Sequence, residues 1–173
     1  MFDKLARSGG YWVVLLALGL AMEAIALFFQ YGLDYGPCVL CIHIRIWVAA
    51  LILLSLVALL VRKRWSGRLF SHLAGFGIAI GFMERAWQTL AVERGWVEGA
   101  CNLDSGLPDW FALDRWFPTL FEVWEACGYT PELLFGITMA EGLIVIGVGL
   151  LLGSLTMLIS TLLNRTPRKI FHS

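Results

Sequence analysis

The stretch Pro37-Cys38-Val39-Leu40-Cys41-Ile42-His43-Ile44-Arg45 brings two cysteines and one arginine to the start of a long apolar run. That run covers residues 42–61 and is ended by the basic triplet Arg62-Lys63-Arg64. About twenty helical residues cross the roughly 30 Å hydrocarbon core of a bilayer. The sequence therefore predicts a membrane-spanning helix with a cysteine pair at one end and positive charge at the other.

The spacing of the two cysteines indicates redox chemistry. Cys38 and Cys41 can close a small disulfide ring, and a cation or a helix N-terminus near them stabilises a thiolate. If the helix begins near Cys41, its free backbone N–H groups face the sulfurs. Arg45 follows Cys41 by four residues, so the two side chains share a helix face. The pattern favours reactive thiols.

Other uses of a cysteine pair fit the sequence less well. A zinc site would recruit Cys101 and Cys127, but zinc sites with this first half usually have a second close pair. A haem attachment site needs histidine directly after the second cysteine, where this chain has Ile42. Inert, buried cysteines are disfavoured by Arg45, because an unpaired charge beside them would be costly.

The composition is that of a membrane protein. The chain has 173 residues, of which 59% are hydrophobic and 15% charged, and its mean hydropathy is +0.77. Such a chain is too apolar for a soluble domain of this size. We predict an all-α fold, a four-helix transmembrane bundle forming a single membrane domain over residues 1–173, surrounded by lipid and without nucleic acid. The predicted spans are 11–30, 42–61, 69–90 and 139–163.

The first span is preceded by Lys4 and Arg7, as in a secretory signal. We expect no cleavage, because the apolar character continues past the small-residue triplet Ala24-Ile25-Ala26 and Glu23 interrupts the apolar core. Glu23 itself has two interpretations: an acid that partners Arg45 or carries protons, or a neutral carboxyl bonded to a neighbouring helix.

The basic residues predict the orientation. Three basic clusters, around Arg7, around Arg64 and around Arg168, fall on one side of four alternating helices, and that side is the cytoplasm. Both termini would then be cytoplasmic. Loops 31–41 and 91–138, with all four cysteines, would face the periplasm of a bacterial inner membrane, where disulfides form and persist.

The long loop is predicted to carry a short interfacial helix. Pro118 suits the first turn of a helix and Gly128 its end, with Leu120, Trp124 and Cys127 along one stripe. Its aromatic residues suit either a belt at the headgroup level or the small core of a loop; these residues are Trp110, Phe111, Trp116, Phe117, Phe121 and Trp124.

Four cysteines allow three disulfide connectivities. The spacing suggests a short-ring pair, Cys38–Cys41, and a long-loop pair, Cys101–Cys127, with exchange between the pairs through Cys38–Cys101. Cys101 lies among glycines in an acidic segment, where another protein's thiol can reach it.

These residues together resemble the bacterial disulfide bond formation protein B family (DsbB), over essentially the whole chain. The matching motifs are Glu23 with Ala26-Leu27-Phe28-Phe29-Gln30, Pro37-Cys38-Val39-Leu40-Cys41 with Arg45, Cys101, Leu113-Asp114-Arg115-Trp116 with Pro118, and Cys127. The resemblance implies that Cys101–Cys127 oxidises a soluble thioredoxin-fold partner like DsbA, with Cys101 forming the mixed disulfide. Electrons would then reach Cys38–Cys41, and Cys41 would pass them to a quinone, ubiquinone or menaquinone, whose oxygen Arg45 polarises.

One departure from the family concerns the second quinone contact. Some members carry a histidine near the outer end of the third helix, where this chain has Gln88. Gln88 can still donate a hydrogen bond, and Arg85, one turn earlier, is a possible substitute. His43 is another, although a solvated interfacial histidine is its simpler interpretation. No metal ligands are predicted.

Alternative functions remain open at this point. A paralogue dedicated to one partner would have the same motifs. Vitamin K epoxide reductases also couple thiols to quinones in a four-helix core, with a different order of cysteine pairs. A structural or metal-binding membrane protein would carry static disulfides or bound zinc.

Overall fold

The computed structural model of the protein describes residues 9–98, 105–125, 132–134 and 136–163. Four long helices dominate it: α1 Gly10–Gly32, α2 Val39–Val61, α3 Trp65–Glu93 and α6 Met139–Leu163. Between α3 and α6 lie a 3-10 turn Asp109–Phe111, the short helices α4 Leu113–Trp116 and α5 Pro118–Phe121, and the strands β1 Glu132–Leu134 and β2 Ile137–Thr138.

The long helices contain the four predicted spans and extend beyond three of them. α2 begins at Val39, three residues before the predicted run, and α3 extends past residues 69–90 at both ends. Apolar character ends where the hydrocarbon core ends, but backbone hydrogen bonds continue into the interface. The fourth run has the predicted bounds, Met139–Leu163.

Among the described residues, three helices are long and apolar enough to cross a membrane, namely α1, α2 and α6. α3 is the longest, with 29 residues, and carries His72, Glu84 and Arg85 within it. It packs inside the same bundle, against α2 and α6. The predicted fold class, an all-α four-helix membrane bundle, is confirmed.

The bundle has two distinct ends. α1 and α3 finish, and α2 and α6 begin, at the end that holds Cys38 and Cys41, which we call the cysteine end. There Arg94, just after α3, forms an ion pair with Glu141 in the first turn of α6. At the opposite end, the Arg62 guanidinium lies against Gly9.

Helix packing leaves a cleft on one side of the bundle. The main contacts join α1 to α2, α2 to α3 and α3 to α6, around a core that includes Trp12 and Phe82. α2 and α3 approach closely because Gly81 of α3 leaves room for the ring of Trp47. Within the described part of the chain, α1 and α6 make few direct contacts, so the space between them is open.

The segment 105–125, here called the outer segment, crosses the cysteine end. Pro118 occupies the first turn of a helix as predicted, but the helix is wrong in length: α5 ends at Phe121, and Glu122 is extended with ψ 136°. The predicted stripe through Trp124 therefore does not form, and its last member, Cys127, lies outside the described residues. The antiparallel ribbon β1–β2 was not predicted, because two strands this short leave no alternating pattern.

Candidate redox site

The two cysteines at the start of α2 lie in contact. Their sulfurs are 2.6 Å apart, and the Cys41 backbone N–H donates to Cys38 Sγ at 3.3 Å. The helix was expected to begin near Cys41, but it begins at Val39 with Cys38 as its N-cap. The helix N-terminus therefore faces the Cys38 sulfur, a position that favours an anionic sulfur there.

A cavity of about 190 Å³ lies between α1, α2 and α6 beside these sulfurs. Cys41 and Arg45 both line it, as their four-residue spacing predicts, and most of the other lining side chains are apolar, Ile44 and Val48 among them. An apolar cavity of about 150 Å³ is enough to hold benzene. The cavity can therefore accept a six-membered ring, with a thiol and a cation in its wall.

Arg45 is held in the cavity wall by two side chains of α1. Its Nε donates to Glu23 Oε2 at 3.3 Å, and its Nη1 donates to Gln30 Oε1 at 2.7 Å. The Arg45 side chain is 6% exposed and that of Glu23 19%, so this ion pair is largely removed from solvent. The geometry therefore brings Glu23 of α1 into contact with Arg45 of the neighbouring helix α2.

The outer segment covers this network. Phe121, buried at the end of α5, places its ring 5.9 Å from the Arg45 guanidinium carbon, within the range of a cation–π contact. The other aromatic side chains of the segment are mostly exposed, with Trp110 at 78%. One aromatic side chain thus packs over Arg45, while most of the others are exposed.

Two further contacts anchor the outer segment beside Cys38. The Trp124 backbone N–H donates to Pro37 O at 3.0 Å, and a Cβ added to Gly36 would lie 2.7 Å from Glu125 Cγ. Nearby, Tyr31 Oη donates to Thr119 O at 2.5 Å. The chain leading to Cys127 is therefore docked on the residue that precedes Cys38.

The beginning of the outer segment has a separate anchor. His43 Nε2 donates to the Ser105 carbonyl at 2.9 Å, and Ser105 Oγ donates to Asp114 Oδ2 at 2.8 Å. His43 is half-buried rather than solvated. This anchor ties the chain that follows Cys101 to α2, one turn beyond the cysteine pair.

Arg85 and Gln88 lie away from the cavity, on α3 at the cysteine end. Arg85 Nη1 donates to Gln88 Oε1 at 3.0 Å, and Gln88 Nε2 donates to Glu84 Oε1 at 2.8 Å. Neither side chain lines the space that holds Cys41, because that space is bounded by α1, α2 and α6. Their role as quinone contacts stays a prediction. The hydrogen bonds among Glu84, Arg85 and Gln88 give it no support.

The second predicted pair, Cys101 and Cys127, lies outside the described residues. Among the residues the structure describes, no three His, Cys, Asp or Glu side chains are placed to hold a metal ion.

Sequence reasoning did not single out Gln30 as a site residue. Gln30 is seven residues after Glu23, so both lie on one face of α1, two turns apart. A glutamine at the end of an apolar run, on the helix face that carries Glu23, was the signal available in the sequence. The position of Phe121 over Arg45 had no such signal, because it depends on how the outer segment folds back.

Comparison with known proteins agrees with these features. The family model described as "Disulfide bond formation protein DsbB" matches residues 7–157. Disulfide bond formation protein B of Shewanella frigidimarina is 34% identical over 75% of this chain and 78% of its own. Disulfide bond formation protein B 2 of Pseudomonas aeruginosa is 32% identical over 75% and 78%, and the Haemophilus influenzae protein 28% over 93% and 92%. The chain, a helical membrane protein with a cysteine pair against a ring-sized cavity, belongs to the DsbB family.

Proposed function

We propose that this protein is an inner-membrane thiol:quinone oxidoreductase. It reoxidises a periplasmic thioredoxin-fold disulfide donor, DsbA-like, and passes the electrons to a membrane quinone, ubiquinone or menaquinone. The coarser part of this function, disulfide bond formation by a membrane protein, is supported by the names of its relatives. The finer part is argued from the cavity.

The observation that carries the proposal is that Cys41 and Arg45 line one ring-sized apolar cavity, open towards the cleft between α1 and α6. A quinone supplies a planar ring that takes up two electrons and two protons, and its oxygens accept hydrogen bonds. Arg45 would donate to one oxygen, Cys41 would present its sulfur to the ring, and the apolar walls would exclude water. A membrane-dissolved ligand would enter through the cleft without crossing water.

The proposed relay carries two electrons and two protons from the partner to the quinone through two disulfide exchanges. The partner's dithiol reduces Cys101–Cys127 and becomes a disulfide, with Cys101 forming the mixed disulfide. The resulting dithiol reduces Cys38–Cys41, whose two electrons and two protons then convert quinone to quinol. Since Cys41 faces the cavity, Cys38 is the sulfur left to meet the second pair.

As the spacing of the cysteines suggests, exchange between the two pairs is proposed to run through Cys38–Cys101.

The orientation belongs to the same proposal. By the positive-inside rule, the basic clusters Arg62-Lys63-Arg64 and Arg165 to Lys169 support a cytoplasmic position for the segments that contain them. Both termini are then cytoplasmic and the cysteine end is periplasmic, where an oxidising environment sustains the relay.

The test is quinone reduction, followed by absorbance, when the detergent-purified chain is mixed with a reduced thioredoxin-fold oxidant. Turnover is expected in the wild type and should vanish in Cys41→Ser. In Cys101→Ser, partner oxidation should be lost while quinone remains bound, because the two events use different sulfurs.

A folded wild type that turns over no quinone with several partners would overturn the proposal. Bound zinc, or disulfides that do not exchange, would then identify the metal-binding or structural alternative. Turnover with one partner alone would identify a dedicated paralogue.

A further inference from the structure

Three side chains that line the cavity each have one buried polar atom with no hydrogen-bond partner among the described residues. These atoms are Glu23 Oε1, Gln30 Nε2 and Arg45 Nη2. Buried polar groups are nearly always bonded, and leaving one unpaired is costly. Two of these atoms, Gln30 Nε2 and Arg45 Nη2, are donors on residues joined by a hydrogen bond, and they indicate that an acceptor on a ligand completes their bonding.

The direction of the Gln30 amide is determined by its neighbour. A guanidinium has only donors, so the amide must present its oxygen to Arg45 Nη1, and this is the 2.7 Å contact observed. The amide nitrogen is therefore the unpaired end. Gln30 is 1% exposed and Arg45 5%, so bulk water does not serve these two donors.

Two adjacent donors in an otherwise apolar cavity match a ligand that brings an acceptor on a flat ring. The carbonyl oxygen of a quinone has two lone pairs and no hydrogen, so it can accept from both donors at once. A cationic ligand would instead place its hydrogens against them.

We propose that Gln30 is a quinone-binding residue, donating from Nε2 the hydrogen bond that accompanies the one from Arg45 Nη2. The inference rests on the proposed function and deepens it, because it assigns the second quinone contact to α1 instead of to Gln88 on α3. Gln30 also keeps Arg45 in place through its oxygen, so its two ends have separate roles.

The separate roles allow a sharp test. Gln30→Glu keeps the size and the oxygen that Arg45 needs but removes the donor, whereas Gln30→Leu removes both. Binding of ubiquinone-1 is measured by equilibrium dialysis in a Cys38→Ser/Cys41→Ser background, which cannot turn over, and KM and kcat are measured in the otherwise native chain. Both Gln30 variants should raise Kd and KM by about tenfold, the value of one hydrogen bond, with kcat changed less.

Two comparison variants complete the experiment. Gln88→Leu is the direct competitor, and the larger rise in Kd identifies the donor. Ser154→Ala, whose hydroxyl bonds only within α6 at Leu151 O, should bind ubiquinone-1 as the wild type does.

The outcomes distinguish a failure of the role of Gln30 from a failure of the proposed function. If Gln30→Glu binds ubiquinone-1 as tightly as the parent, or if Gln88→Leu alone weakens binding, the role of Gln30 is overturned and the proposed function stands. If the parent chain neither binds nor reduces ubiquinone-1 or menadione, the proposed function falls, and the role of Gln30 falls with it.

Discussion

Two arginine–carboxylate pairs show how differently the two halves of this site are built. In the cavity wall, Arg45 Nε lies 3.3 Å from Glu23 Oε2, and the two side chains are 6% and 19% exposed. In the outer segment, Arg115 Nη1 lies 3.0 Å from Asp109 Oδ1, and the exposures are 72% and 89%. The shorter pair is the weaker one, because solvent screens it and both side chains lose entropy to form it.

The difference extends from the pairs to the regions around them. In the cavity wall, Arg45, Glu23 and Gln30 all stand on long helices and are joined by hydrogen bonds, and such a site is preorganised for a small rigid ligand. The outer segment has helices of four residues and is anchored near the start of α2 by a backbone hydrogen bond to Pro37 and a side-chain hydrogen bond from His43. A segment tied at a few points can move, as exchange between separate disulfides requires.

The largest effect is expected from the buried pair. Arg45→Met removes the cation from beside Glu23 and leaves a partly buried carboxyl and Gln30 Oε1 without their donor. The free energy of unfolding should fall by about 3 kcal/mol, as measured by denaturant titration in detergent micelles. The KM for quinone should rise as well.

Arg115→Met is the matched control, since it breaks the shorter but exposed pair and should change the same free energy by less than about 1 kcal/mol. The double variant Glu23→Gln/Arg45→Met should recover part of the loss. Equal effects of Arg45→Met and Arg115→Met would contradict the contrast between the regions.

An intermediate effect is expected at the Pro37 anchor. A Cβ at Gly36 would lie 2.7 Å from Glu125 Cγ and 2.9 Å from Trp124 Cβ, so Gly36→Ala should push the outer segment off Pro37. Overpacking costs about 1–3 kcal/mol, and about 1.4 kcal/mol is a factor of ten. Partner-driven quinone reduction should slow about tenfold, without a comparable rise in the KM for quinone.

Gly77→Ala provides the control, because a Cβ there meets nothing within 4 Å. Its turnover should equal that of the wild type. A Gly36→Ala protein with unimpaired turnover would mean that docking at Pro37 plays no part in the exchange.

The smallest effect is expected from the second anchor. His43→Ala removes the hydrogen bond from Nε2 to Ser105 O, whose net contribution is about 1 kcal/mol. Electron transfer from the partner should slow by up to about fivefold, measured in the same assay, while binding of ubiquinone-1 stays unchanged. A loss of quinone binding in His43→Ala would place His43 in the quinone site and remove it from the anchor.

Much of the fold could be read from the sequence because membrane spans obey a local rule. Each apolar run is long enough to cross the hydrocarbon core by itself, and its helix satisfies its own backbone hydrogen bonds. Cys41 and Arg45 were placed together for the same reason, since four residues on a helix make neighbours. The end of α5 was missed because Glu122 leaves the helix where the chain turns to bond Pro37, a partner more than eighty residues away.

The sequence by itself determined the membrane bundle, the basic and cysteine-bearing ends and the pairing of a thiol with a cation, because each depends on residues within one helix. Only the tertiary structure decided that α1 supplies Glu23 and Gln30 to Arg45, that Phe121 covers it and that Gln88 stays outside. These contacts join separate elements, and their geometry depends on how the helices pack and where the outer segment docks. The sequence pattern of a single segment determines neither the packing of the helices nor the docking of the outer segment.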